Sequence, residues 1–229
     1  MSISLLSDAF DTAGYVSRFT NKGRIRLEGA VSASDADAIH RALEQETPWA
    51  LQLVSKEGRP EIINRRELNA LPESEIQQRL QDAAERAQSG LSWLRLGVNL
   101  LDKSDEDFAL TPFASLLKSP KFAQFCGALT GLSDLTLTEL SAVCYRPGDF
   151  FTQHTDLAAR LCFEWNFSRD WRADWGGQVL FHSPSGDIEG GISPRLNDLS
   201  LYAGDQPRSI ASVAPYAGTP RFSVIGRFV

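Results

Sequence analysis

From Asp134 onward the chain breaks into short runs of β-forming residues separated by Gly, Pro and Asp turns, and this spacing limits the fold more than any other feature. The runs are Thr136 to Tyr145, Phe150 to His154, Leu161 to Phe167, Gly177 to Phe181, Asp198 to Leu201, Ile210 to Val213 and Phe222 to Phe228. At least seven strands at such intervals predict a β-sandwich or barrel. Short strands with tight turns bury an apolar face only by stacking or by closing on themselves. The first half reads differently. Gly23 to Gly29 alternates as a strand does. Ser32 or Ser34 caps a helix over Asp35 to Glu44 with acidic residues in its first turn, and Pro48 closes it. Trp49 to Val54 reads as a strand, followed by a polar turn around Gly58-Arg59-Pro60. Glu73 to Gln88 has the pattern of a solvated amphipathic helix, and Ser119 to Leu129 that of a helix whose Phe122, Phe125 and Leu129 share one face. No linker separates the halves. The expectation is one domain over residues 1–229, α+β but mainly β, in which residues 1–133 supply helices and strands that buttress a barrel formed by residues 134–229.

Composition narrows the partners. The 229 residues, 42% apolar with 13 Phe and 5 Trp, are enough for one sizeable core. A net charge of -6 argues against a general nucleic-acid binder, which normally shows a basic face. Asp8 interrupts the apolar stretch a signal peptide would need, and no run of about 18 apolar residues occurs. A soluble, cytoplasmic protein with neither nucleic-acid nor membrane partners is expected. Cys126, Cys144 and Cys162 lie in apolar segments without CxxC or zinc spacing and read as buried free thiols.

Chemistry enters at His154-Thr155-Asp156. A His and a carboxylate two residues apart on an extended segment point to one face, which is half of a metal site. Around it, Tyr145-Arg146-Pro147-Gly148-Asp149-Phe150-Phe151, the run Trp165-Asn166-Phe167 with Trp171, Gly176-Gly177-Gln178-Val179-Leu180, Pro194 to Leu201 and Arg221-Phe222-Ser223 follow in order. Together these segments resemble the core of the iron(II)- and 2-oxoglutarate-dependent dioxygenases, of the prolyl-hydroxylase type, over about residues 134 to 229. The resemblance implies a double-stranded β-helix, or jelly roll. It also implies iron(II) held by His154 and Asp156, and 2-oxoglutarate as cosubstrate. Arg221 and Ser223 would bind the far carboxylate of that cosubstrate, and Tyr145 could add a hydrogen bond. The reaction implied is hydroxylation of an amino-acid, peptide or protein side chain, with no catalytic group beyond the metal ligands. Two His and one carboxylate on one face leave three positions open, which such chemistry needs.

The second His is missing. Aligning the family's distal strand places Arg208 in that position, with Ile210 and Val213 in the inward positions that follow. A shift of one residue would put Ser209 there and turn Ile210 outward. Arginine is donor-only and stays protonated. At ~4 Å and an effective dielectric of about 20, it would repel a divalent ion by roughly 8 kcal/mol. Three outcomes are open: Arg208 swings out and iron is held weakly; Asp205 or His182 supplies the third ligand; or Arg208 pairs with Asp156 and replaces the metal. The last leaves a catalytically silent pocket that binds a small carboxylate without iron, with no cofactor bound. His40 reads as solvent-facing and His182 as lying at a barrel rim. Trp165, Trp171 and Trp175 read as core or rim residues.

Overall fold

The computed structural model describes residues 3–7, 10–102 and 108–229; Asp8, on which the signal-peptide argument turns, lies outside the described residues. Helix α1 (Thr12–Lys22) is capped by the Asp11 carboxylate and ended by Gly23 in the left-handed region. Strand β1 (Arg24–Glu28) leads to α2 (Ala33–Arg41). Of the two candidate serines Ser32 is the cap, its hydroxyl accepting from the Asp35 N–H. The helix continues as a π turn, Ala42–Glu46, and stops before Pro48. Next come β2 (Ala50–Val54), β3 (Pro60–Ile63), α3 (Arg65–Ala70), α4 (Glu73–Ala87), β4 (Trp93–Asn99), α5 (Thr111–Leu117) and α6 (Pro120–Thr130). The β-rich region holds β5 (Leu137–Tyr145), β6 (Phe150–His154), β7 (Leu161–Asn166), β8 (Val179–His182), β9 (Ile188–Ile192), β10 (Asp198–Ala203), β11 (Arg208–Ile210) and β12 (Arg221–Phe228).

Six of these elements, α1, β3, α3, β4, α5 and β9, have no counterpart in the sequence reading. Strand β3 begins within the expected polar turn. The turn itself ends at Gly58, with φ 81°, and Pro60 is tolerated because it opens an edge strand that pairs only with β2. Strand β4 carries a legible alternation, Leu94, Leu96 and Val98 against Arg95 and Gly97. The strand expected over Ile210 to Val213 lies instead at Arg208–Ile210. Beyond Ile210 the backbone N–H groups of Ala211 and Val213 turn to the carbonyls of Gln178 and Asp149.

All strand pairs are antiparallel, in the order β1-β10-β7-β12-β5-β4-β6-β11-β8-β9, with β2 and β3 branching from β4. The path curls on itself at β4. One inner cluster therefore gathers Val143 and Tyr145 of β5, Cys162 of β7 and Tyr202 of β10 with Val179 and Phe181 of β8 and Ile210 of β11. This is a mainly β, jelly-roll half-barrel with helices, as expected. Because β4 lies between β5 and β6, and β1 beside β10, residues before 134 take part in the sheet as well as in its support.

The outer face of the long limb is covered by helices. Phe113 and Phe122 meet Phe163, Trp165, Phe167 and Phe228 in a fully buried aromatic cluster, and Phe113 stands edge-on to Trp165 at 5.2 Å. Each such side chain, once buried, contributes roughly 1.5–3 kcal/mol. Phe122, Phe125 and Leu129 of α6 do share a buried face, and all three cysteines are buried and unbridged. His40 does not face solvent. It lies one turn after Ala36 on the side of α2 that packs against the barrel. Its side chain is 13% exposed, with Nδ1 2.8 Å from the Phe167 carbonyl and the ring edge-on to Phe222. Among the described residues, no helix is long and apolar enough to cross a membrane.

The close approach of β12 to β7 depends on Gly226, where a Cβ would run into the Phe163 ring and the Glu139 carbonyl. Gly226→Ala is expected to destabilise the fold by about 1–3 kcal/mol. The change would be read as a lower urea midpoint at unchanged m. An unchanged midpoint would mean that Phe163 does not pack on this strand.

Candidate functional site

Between the two limbs lies a narrow cleft of about 40 Å³, lined among others by Tyr145, His154, Asp156, Glu164, Arg208 and Arg227. Strand β6 ends on His154, Asp156 follows two residues later, and β11 sets Arg208 directly opposite His154 as its cross-strand partner. The backbone holds Asp156 in place: its N–H donates to the Gly204 carbonyl at 2.8 Å. Gly204 permits this approach, because a Cβ there would meet the carbonyls of Asp156 and Ala159. Arg208, 5% exposed, donates through Nη2 to Asp156 Oδ2 and lies over the Tyr202 ring at 4.7 Å. Arg227 of β12 reaches the other carboxylate oxygen, Oδ1, at 2.9 Å and pairs with Glu139 at 2.5 Å.

These charges set the protonation states. Burial alone would raise the Asp156 carboxyl, but Arg208 and Arg227 hold it below the usual carboxylate range. Burial opposes the charge on Arg208, yet Tyr202, Cys162 and Asp156 around it keep its pKa above the ordinary arginine value. His154 is pushed down to about 4, first by burial and then by Arg208, so its imidazole is neutral at pH 7. Its Nδ1 lies 3.0 Å from the Thr152 carbonyl. A carbonyl only accepts, so Nδ1 carries the proton and Nε2 the lone pair. The Phe151 ring stacks on this imidazole at 3.9 Å. Cys162, with Sγ 3.7 Å from Asp156 Oδ2, is a protonated thiol whose pKa burial pushes up to about 11.

A second buried pair lies deeper. Arg221, fully buried, donates through Nη2 to Glu164 Oε1, and its guanidinium lies over the Tyr145 ring at 5.1 Å. Glu164 lines the cleft while Arg221 and Ser223 lie behind it. Arg221 Nε and Nη1 and Ser223 Oγ have no hydrogen-bond partner among the described residues. The Tyr145 hydroxyl lies 3.5 Å from Arg95 Nη1.

Of the residues singled out from sequence, His154, Asp156, Arg208 and Tyr145 line one cleft and Arg221 with Ser223 backs it. The two substitute ligands are elsewhere. Asp205 is exposed in the turn after β10, and neither it nor His182 lines the cleft. His182 ends β8 with Nε2 2.8 Å from Ser209 Oγ, and Ser209 points to the face opposite Arg208. Trp165 is core, whereas Trp171 and Trp175 stand edge-on to each other at 5.4 Å, half-buried. Glu164, Arg95 and Arg227 also line the cleft and carry no motif that marks them in the sequence. The available signal for Glu164 is a lone carboxylate in Leu161–Asn166, a strand buried at every position, where an ionised group requires a counter-ion.

The donor set does not fit iron(II). One imidazole, one carboxylate and one guanidinium supply two ligands and a repelling cation, and among the described residues no three His, Cys, Asp or Glu side chains group to hold a metal. Arg221, the cation suited to a dicarboxylate's far end, already gives Nη2 to Glu164, while its Nε and Nη1 have no partner among the described residues.

Residues 140–229 match the model of the 2OG-Fe(II) oxygenase superfamily. Solved structures extend the likeness in fold. A 2OG-Fe(II) oxygenase family oxidoreductase from Burkholderia pseudomallei superposes with TM-score 0.64 at 13% identity, covering 96% of this chain and 91% of its own. A prolyl hydroxylase from Trichoplax adhaerens, in complex with a peptide of the hypoxia inducible factor oxygen degradation domain, gives 0.61 at 13% identity over 95% and 88%. A Pseudomonas putida prolyl-4-hydroxylase gives 0.56 at 17% identity over 95% and 98%. At these identities the shared property is the jelly-roll fold. No curated protein matches the chain in sequence.

Removing one member of a buried pair leaves an uncompensated charge. Glu164→Gln is therefore expected to cost about 3–5 kcal/mol of stability. Glu164→Gln combined with Arg221→Met should cost less than the sum of the single changes. Denaturant titration of the four proteins measures this, and strictly additive losses would show that the two side chains are not paired.

Proposed function

We propose that this chain, as one domain over residues 1–229, is a metal-free relative of the 2-oxoglutarate oxygenases whose barrel pocket binds a small carboxylate without redox chemistry. The observation that carries the reading is the ion pair of Arg208 with Asp156. A guanidinium bonded to the carboxylate that would ligate iron removes a ligand and adds a like charge in one step. The pair of Glu164 with Arg221 supports the same reading, since the cation suited to the cosubstrate's far carboxylate already has a carboxylate partner.

One observation favours a second reading, an iron(II)- and 2-oxoglutarate-dependent hydroxylase of an amino-acid, peptide or protein side chain with an atypical site. Arg221 Nε and Nη1 and Ser223 Oγ are buried without protein partners, as donors awaiting an acceptor would be. The Trichoplax structure holds a peptide, and a peptide substrate would suit this reading.

Anaerobic titration of iron(II) with 2-oxoglutarate, followed by calorimetry and by the weak visible charge-transfer band that the family's chelate gives, separates the two. The wild-type protein is expected to show neither saturable metal binding nor the band. Arg208→His, which restores a ligand and removes the repulsion, is expected to tighten metal binding by about tenfold or more. A wild-type band, with succinate released on admitting oxygen, would overturn the metal-free reading.

A further inference from the structure

Four arginines, Arg95, Arg208, Arg221 and Arg227, face or back the cleft, against three carboxylates, Glu139, Asp156 and Glu164. Asp156 takes Arg208 and Arg227, Glu139 takes Arg227, and Glu164 takes Arg221. Among the described residues no carboxylate pairs with Arg95. Its partners are neutral: Nε donates to Gln52 Oε1 at 3.0 Å, Nη1 lies 3.5 Å from the Tyr145 hydroxyl, and the guanidinium carbon is 5.6 Å from the Phe151 ring centroid. The local structure is built around this placement. Gly97, two residues on, leaves the space that Gln52 occupies, since a Cβ there would meet the Gln52 amide. Gln52 in turn stands directly across from Arg95 in the β2–β4 ladder. Trp93 and Phe151 pack at 5.2 Å beside it.

We propose that Arg95, steered by Gln52 and assisted by the Tyr145 hydroxyl, is the anion-binding residue of this cleft, and that its ligand is a monocarboxylate with an apolar body. This rests on the metal-free reading and deepens it by naming the ligand class. Glu164 lines the cleft and its partner Arg221 does not, and Arg208 and Arg227, which do line it, are paired with carboxylates, so Arg95 is the lining arginine left without one among the described residues. Between its charged groups and His154 the lining also carries apolar surface, from Phe151, Phe163, Ile210 and Ile225 and the Tyr202 ring. A charged head on Arg95 with an apolar tail among these side chains matches that arrangement. A second carboxylate on the ligand would lie near Asp156 or Glu164, where like charges repel.

The test is calorimetric titration of benzoate, benzamide, succinate and 2-oxoglutarate into the wild type and Arg95→Gln, all in EDTA. Benzoate should bind the wild type, and the neutral benzamide and the two dicarboxylates more weakly. Arg95→Gln should lose about tenfold or more in benzoate affinity, the weight of one charge-assisted hydrogen bond. Should Arg95→Gln fail to fold, benzoate-induced amide shifts in the wild type must centre on Arg95, Tyr145 and Phe151. Benzoate binding that is absent, unaffected by Arg95→Gln, or weaker than succinate binding would overturn the proposal, as would shifts centred elsewhere. EDTA keeps the two readings apart. Iron(II) uptake by the wild type in a separate titration would sink the metal-free reading without altering the benzoate result, whereas lost benzoate binding without iron uptake would sink this proposal alone.

Discussion

A guanidinium buried in a β-barrel requires a fixed counter-ion, and the interior of this protein is arranged around that requirement. Arg208 enters on β11 with Asp156 as partner, and Asp156 is held by the Gly204 carbonyl on one side and Arg227 on the other. An unpaired ion at this depth would cost several kcal/mol, so each member makes the position of the other obligatory. The chain meets the requirement with local geometry. Gly204 lets two backbone segments touch, and the β6–β11 register puts Arg208 opposite His154. The Glu164–Arg221 pair, with its guanidinium over the Tyr145 ring, repeats the solution.

Such pairs add little net stability, because desolvation offsets most of their attraction. The stability comes from the aromatic cluster where α5 and α6 cover β7 and β12, and from the inner apolar residues between the limbs. The contribution of the ion pairs is to register. Sliding β11 by one residue would turn Arg208 out of the barrel and bring Ser209 in, leaving Asp156 with Arg227 alone. On the metal-free reading we propose, the same arrangement takes the place of a bound cation. The carboxylate that could ligate is bonded to Arg208 and Arg227, and the arginine that could receive a cosubstrate gives one of its donors to Glu164.

Much of this was legible in the sequence, because it depends on local alternation. The ends of β6 match the expected run, and β5, β7 and β12 lie within one residue of theirs. Placing His154 and Asp156 on one face required only the two-residue period of a strand, and placing Arg208 near them required only the register of the following strand. The rest depends on contacts distant in sequence. Glu164 and Arg221 are 57 residues apart, and their meeting follows from the neighbouring of β7 and β12. Arg95 reaches Tyr145 across 50 residues because β4 inserts between β5 and β6. His40 departs from the solvent-facing expectation because the helical period marks a buried stripe without saying how wide a surface it meets.

The central claim is that Arg208 occupies the place of a metal ligand. Crystals grown anaerobically with excess manganese(II) and 2-oxoglutarate test it most directly through an anomalous-difference map. The expected map has no peak beside His154 and Asp156, with the Arg208 guanidinium in density against the Asp156 carboxylate. A peak bridging His154 and Asp156, with Arg208 turned away, would contradict it.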